Sequence, residues 1–404
     1  MAADPLAPDD LTIPAPGSTS ARQVLSRGLP LLLAGLGRLP ARTGEPARTG
    51  LGAAVQAVRA AFSRDPGAVW SALRRPTVGA LIRCAAATPR PALLAELGAT
   101  LAVELAVAGA LAEPLRVPAA PRVVCLGARV VLDLPAGELC CRAGEVTHRD
   151  LQGRETPLWP GEVGDAPDVA TSRPRLSRGH VAITPTLALA LVDNNPLASL
   201  EAHPDKAGNA IDLGGRPAAR WVAALREALE IIKAHLPDLR AEIDVVLQQV
   251  VPVGYDEQRH LSASYQEAIG TVYLSLHPQA MTMAEALIHE FSHNKLAALL
   301  EHGPLLDNAF APLYPSPVRP DPRPLHGVLL AVHAFLPVAR LYEQMLARGD
   351  PRAQAPGFRA RLAAIVAGNR EGAAVLRAHA RPTPRGAALL AEIARWDRHF
   401  TDGA

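Results

Sequence analysis

One segment constrains this chain more than any other. Thr282 to Leu300 reads as a helix, and it carries His289-Glu290-Phe291-Ser292-His293 within it. Met283, Ala286, Leu287, Leu296, Leu299 and Leu300 recur at three- and four-residue spacing, the period of a helix with one buried stripe. Thr282-Met283-Ala284-Glu285 has the form of a capping box and sets the expected start. Two histidines four residues apart on a helix lie about 40° apart, one turn above each other, so both imidazoles reach one point. Glu290 stands about 100° round from His289, beside that point. The bland alternative is a buried helix with two satisfied core histidines. The H-E-x-x-H spacing favours a metal site. The expected ligands are His289 and His293. Glu290 is placed to take a proton from bound water or to hydrogen-bond a ligand.

Composition bounds the rest. The 404 residues are 49% hydrophobic, enough for one large core or two smaller ones. Forty-one basic against thirty-nine acidic residues leave a net charge of +2, so no bulk field favours nucleic acid or an anionic membrane. Cys84, Cys125, Cys140 and Cys141 form no C-x-x-C pair, which fits reduced thiols in the cytoplasm. The opening Met1-Ala2-Ala3-Asp4-Pro5 lacks a basic region before an apolar run, so no secretion signal is expected. The apolar run from Leu29 to Leu36 is too short to span a bilayer. A soluble cytoplasmic protein without nucleic-acid or membrane partners is expected.

The pattern along the chain predicts an α+β protein. Residues 1–20, rich in Pro, Asp, Ser and Thr, read as a disordered arm. A helical region over 21–115 is expected, punctuated at Pro66, Pro89-Arg90-Pro91 and Pro114. An α+β catalytic region would then cover 116–404, with helices over 350–400 broken at Pro382-Thr383-Pro384. Within it, 123–126, 130–134, 243–253 and 270–276 read as strands, the last as an edge strand beside the motif helix, and 148–178 and 303–325 as loops. Trp221–Leu236 and Leu325–Ala347 read as helices.

A metal needs at least one more ligand. Neither common peptidase form supplies it: the glutamates after His293 are Glu301, on the same helix, and then Glu343, and Leu296 and Leu299 stand where H-E-x-x-H-x-x-G-x-x-H needs glycine and histidine. His326 and His333 follow, about 10 Å apart along one helix face, so only one can serve. Pro337 removes the hydrogen bond to the His333 carbonyl, which favours His333. A satisfied core histidine is the alternative there. His302, at a helix exit, suits a dipole partner equally well.

At these residues the chain resembles the HExxH-motif peptide-modifying proteins of ribosomal peptide natural-product pathways, the α-ketoglutarate-dependent HExxH-type peptide β-hydroxylases. Ser262-Ala263-Ser264 with Gly270-Thr271-Val272-Tyr273-Leu274 is similar to the family's strand region. His289 to Leu296 is similar to its motif helix, and Arg319-Pro320-Asp321-Pro322-Arg323-Pro324-Leu325 to its most specific loop. Val318 stands where the family has tryptophan, and Asp193-Asn194-Asn195-Pro196 is a weaker echo. The resemblance covers residues 180–345. It implies a non-haem Fe(II) enzyme using 2-oxoglutarate and O2 to hydroxylate a β-carbon in a precursor peptide. Three protein ligands leave positions for the chelating keto-acid and O2. The distal carboxylate needs a cation, and a guanidinium fork serves best. Arg323 and Arg319 are the candidates, then Lys295, although loop arginines also cap helices or pair with Asp321. The rival readings are a zinc metallopeptidase with Glu290 as general base and a non-catalytic scaffold binding peptide along the 270–276 strand.

Overall fold

Prolines set the boundaries of the first helices. A computed structural model describes residues 10–42, 49–165, 172–198, 202–203, 206–315 and 321–402. Helices α1 (Ser20–Arg38), α2 (Leu51–Arg64), α3 (Pro66–Arg74), α4 (Pro76–Ala87) and α5 (Pro91–Val107) come first. The last three open on proline, whose fixed φ suits a first turn and whose missing N–H is not needed there. Asp65 caps α3 by accepting from the Ala68 N–H at 2.9 Å.

Seven strands follow: β1 (Leu115–Pro118), β2 (Arg122–Cys125), β3 (Val130–Asp133), β4 (Gly137–Arg142), β5 (Glu145–Asp150), β6 (Glu155–Trp159) and β7 (Arg175–Arg178). They form two antiparallel sheets, ordered β1-β4-β5-β6 and β2-β3-β7. Their apolar faces join the second half of α1 and helices α2 to α5 in one cluster running from Leu32 to Leu176. The apolar core is therefore continuous across residue 116, where the sequence pattern changes. Residues 148–178 are not all loop. The end of β5, β6 and β7 lie there, and Glu155, Thr156 and Pro157 are exposed, so the ladder holds a segment without apolar alternation.

The second core surrounds a mixed sheet built from β8 (His180–Ala182), β9 (Ala188–Ala190), β12 (Gln249–Tyr255), β13 (Ser262–Ala263) and β14 (Thr271–Leu276). A two-stranded pair, β10 (Ala202–His203) and β11 (Lys206–Ala207), lies outside it. The order is β13-β14-β12-β9-β8, with β9, β12 and β14 parallel and both edges antiparallel. The strand expected at an edge beside the motif helix, β14, is instead flanked by β13 and β12, and every one of its residues is buried, as in an inner strand covered on both faces. Helices α6 (Ala218–His235), α7 (Pro237–Val246), α8 (Ala280–Leu300), α9 (Leu325–Ala347), α10 (Phe358–His379) and α11 (Pro384–Asp402) complete this half. A two-residue pair, β15 (Leu313–Tyr314) with β16 (Arg323–Pro324), crosses the expected 303–325 loop. Residues 243–246 finish α7 instead of starting a strand, and β12 begins at Gln249.

The expected disordered arm needs correction where it is described. Leu11, Thr12 and Ile13 are buried, and the backbone N–H groups of Leu11 and Thr12 donate to the Glu392 carboxylate at 2.8 and 2.9 Å. Residues 1–9 lie outside the described residues. Among the described residues, α9 is long and apolar enough to cross a membrane, but most of it is buried as a core helix.

Candidate metal centre

Helix α8 begins three residues earlier than the capping box implied. Gln279, in extended conformation, is its N-cap, and Glu285 bonds the Tyr342 hydroxyl and Arg361 instead of capping. The preceding turn is tied by the Gln279 N–H, which donates to His277 Nδ1 at 3.1 Å. Asn294 fixes the helix to the sheet. Its amide donates to the Thr271 and Glu290 carbonyls at 3.1 and 2.9 Å, and its oxygen accepts from the Gly270 N–H at 2.7 Å. Gly270 has φ +101°, a conformation only glycine adopts without strain, so this anchor binds a turn that cannot easily shift. Asn294→Ala is expected to cost about 2–3 kcal/mol, because it leaves a buried N–H and carbonyl unmet. Urea unfolding measures it, and a loss below about 0.5 kcal/mol would show the anchor to be dispensable.

His289 and His293 converge. Their Nε2 atoms are 2.9 Å apart and the rings meet edge to face at 4.4 Å between centroids. Ligand atoms of His289, Glu290 and His293 all lie within 4.8 Å of one another. Phe335 of α9 covers the His289 ring at 4.7 Å. Burial holds the His289 imidazole well below its usual pKa, and the neighbouring His293 adds to this. Burial also lowers His293, against the pull of the Glu290 carboxylate. Both rings are thus neutral, the state that offers a lone pair.

The donor set fits a metal ion. Two imidazole nitrogens about 2.1 Å from one ion stand roughly 3 Å apart, close to the observed separation. Oε2 of Glu290, beside the two rings, is buried without a hydrogen-bond partner, a cost that an ion there would relieve. Nitrogen and carboxylate ligands suit iron and zinc alike, so the set does not choose between them.

The remaining candidates lie outside this group of three, although His326 and His333 both interact electrostatically with His293. His333 is fully buried, with Nε2 hydrogen-bonded to the Leu11 carbonyl at 3.1 Å, and it is not among the converging ligands. Phe335, two residues on and about 200° round α9, faces His289 instead. His333 is held at about 3 by burial, then by the Lys295 charge beside it. Its Nδ1 is buried without a hydrogen-bond partner. Lys295 lies about 200° round α8 from His293. Its Nζ is 2.6 Å from Glu242 Oε2 and also reaches the Asp10 carbonyl, so it is no free anchor for a keto-acid. Arg323 pairs with Asp321 at 2.8 Å and lies along Gly327. Arg319 lies outside the described residues. His326 is half-buried and stacks on Phe310 at 5.2 Å, and His302 hydrogen-bonds the Val24 carbonyl at 3.1 Å.

Two groups went unnoticed in the sequence. His260 precedes β13 at the sheet edge. Its ring hydrogen-bonds the Ser275 backbone, its Nε2 is buried without a partner, and it interacts electrostatically with both His289 and Glu290. A ring anchored through one nitrogen with the other left free can present a ligand, an arrangement that His333 shares, and neither ring lies within the converging three. An isolated histidine before a two-residue strand carries no periodic signal. The second group is Arg361 of α10. It binds Glu285 through Nη2 at 2.7 Å, and its charge acts on His289, one helical turn from Glu285. No protein-family model and no curated protein matches the chain.

Proposed function

We propose that this chain is a metal-dependent enzyme acting on a peptide, and that the reaction is Fe(II)- and 2-oxoglutarate-dependent hydroxylation of a β-carbon in a ribosomally made precursor. The observation that carries the reading is the convergence of two neutral imidazoles with Glu290 beside an open sheet edge. The resemblance over residues 180–345 supplies the reaction class. Iron, when bound, would couple decarboxylation of 2-oxoglutarate to oxidation of the carbon. His289 and His293 hold the ion, and His260 is the candidate to complete the donors. Arg361 takes the anchoring role first expected of Arg323, Arg319 and Lys295: one edge of its guanidinium is held by Glu285, leaving donors for a distal carboxylate. Phe335 excludes water from one side of His289. The peptide lies along β13, whose outer edge is unpaired among the described residues. Free cysteines are compatible with a cytoplasmic setting.

A second reading, zinc-dependent peptide hydrolysis, is favoured by one feature: the unpartnered Oε2 of Glu290, suitable for a general base. Metal analysis after anaerobic reconstitution separates the two. Iron retention with peptide-stimulated succinate formation supports hydroxylation. Zinc retention with peptide cleavage establishes the hydrolase, and no metal at all leaves only a peptide-binding scaffold. Variants sharpen the ligand set independently of turnover. His289→Ala and His293→Ala are expected to abolish stoichiometric metal. His260→Ala should weaken retention about 10–100-fold. His333→Ala should leave the stoichiometry intact, and metal loss there would return His333 to the site.

A further inference from the structure

The junction between α3 and α4 carries an unbalanced positive charge. Arg74 and Arg75 are consecutive there, and with Arg22 of α1 they line a groove of about 780 Å³. Gln248 fixes the pair: its amide donates to the Arg74 carbonyl at 2.9 Å, and its oxygen accepts from Arg75 Nη1 at 3.1 Å. Buried Glu104 acts on Arg75 as a counter-charge. Arg74 has no such partner. Among the described residues nothing accepts a hydrogen bond from its guanidinium, and its Nε is buried and unmet. The charges acting on it are Arg22 and Arg75, both of its own sign. Asp244, the acidic side chain on the groove wall, is already held by Arg240 and Thr186.

A half-buried guanidinium is costly unless an anion meets it, and arginine does not escape by losing its proton. Arg74 shares the groove lining with Gln248 and Trp70, and its Nε is buried there without an acceptor. We propose that this groove is an oxyanion-binding site. The Arg74 fork takes a carboxylate or phosphate group, Arg22 adds charge at the mouth, and the body of the ligand lies on Leu25, Leu29 and Trp70. The two anions share the chemistry that the fork recognises, two oxygens presented side by side. The site goes beyond the peptide-modifying reading and does not depend on it.

The test uses the full chain at low ionic strength. Calorimetric titration with inorganic phosphate and, separately, with benzoate covers the two sources, against sodium chloride at equal ionic strength. At least one is expected to bind saturably in the millimolar range or tighter, and which one binds assigns the anion. Arg74→Met should weaken that binding at least tenfold. Arg74→Lys, which keeps the charge and loses the fork, should weaken it less. Should Arg74→Met fail to fold, the lysine variant alone decides: an affinity equal to the wild type overturns the role of the fork. Absence of saturable binding by both anions, or unchanged binding in Arg74→Met, overturns the site.

Discussion

Lys295→Ala is expected to lose about 3–5 kcal/mol of folding stability, the usual result of stranding one member of a buried ion pair. The Lys295 ammonium and the Glu242 carboxylate are 2.6 Å apart, with side chains only 2% and 5% exposed. Burial pushes the Glu242 carboxyl up, and the Lys295 charge and hydrogen bond oppose this. Glu242 also accepts from the Ala21 N–H, and Lys295 also reaches the Asp10 carbonyl. Removing the ammonium would therefore loosen the start of α1 and the segment before it. The paired change Lys295→Met with Glu242→Leu should cost much less, because no charge is left behind. Denaturant unfolding of both variants separates this structural role from the co-substrate role expected from sequence. If the single variant unfolds within about 1 kcal/mol of the wild type while its apparent affinity for 2-oxoglutarate falls, the ion pair is not structural.

The same node explains why the surroundings of His333 were not legible in the sequence. Pro337 and the apolar residues around His333 indicated a special environment, and the environment is special. Its partner, however, is the Leu11 carbonyl, more than three hundred positions away in sequence. No local pattern specifies which face of α9 meets the motif helix and which meets the N-terminal segment. The ordering of residues 11–13 was hidden for the same reason: Glu392, at the far end of the chain, supplies the acceptors for their N–H groups. A proline-rich, acidic stretch looks disordered when judged alone.

Elements with a period of their own were legible. The motif helix, the Thr271–Leu276 strand and the Leu325–Ala347 helix follow from apolar spacing, and the Pro382–Pro384 break falls between α10 and α11. The convergence of His289 and His293 follows from helix geometry alone. Polar edge strands such as β6 were not legible, because their ladder bonds do not require apolar side chains. The competition for Arg323 was visible in outline, since Asp321 stands two residues away, but only the fold decides that the two pair. His260 and Arg361 have significance only through what the fold sets beside them.

Stability should fall as the pH drops from about 6.5 toward 4, and His180 should carry a separable share of the loss. Its ring is buried, with Nε2 hydrogen-bonded to Gln249 Oε1 at 3.0 Å and Nδ1 left without a partner. Burial lowers it to about 4, the Gln249 hydrogen bond opposes this, and the Arg129 and Arg75 charges add to the lowering. Between the two pH values the unfolded chain takes up a proton that the native ring refuses. The stability this group contributes is therefore complete above the unfolded value and is lost as pH falls toward the folded one. A span from 6.5 to about 4 corresponds to a loss on the order of 3 kcal/mol at the acid end. Asp193 and Glu96 act in the opposite sense. Burial raises them to about 6 and about 7, so they gain protons in the native state over the same range, and each offsets a contribution of about the histidine's size. The difference between two profiles removes those offsets. His180→Gln cannot take up the proton, so its stability, measured in urea from pH 7 to 4, should decline less steeply than that of the wild type. Its absolute stability at pH 7 is expected to be lower and does not bear on the outcome. Parallel profiles for the two proteins would show that His180 titrates normally in the native state, and that its orphaned Nδ1 finds an acceptor when protonated.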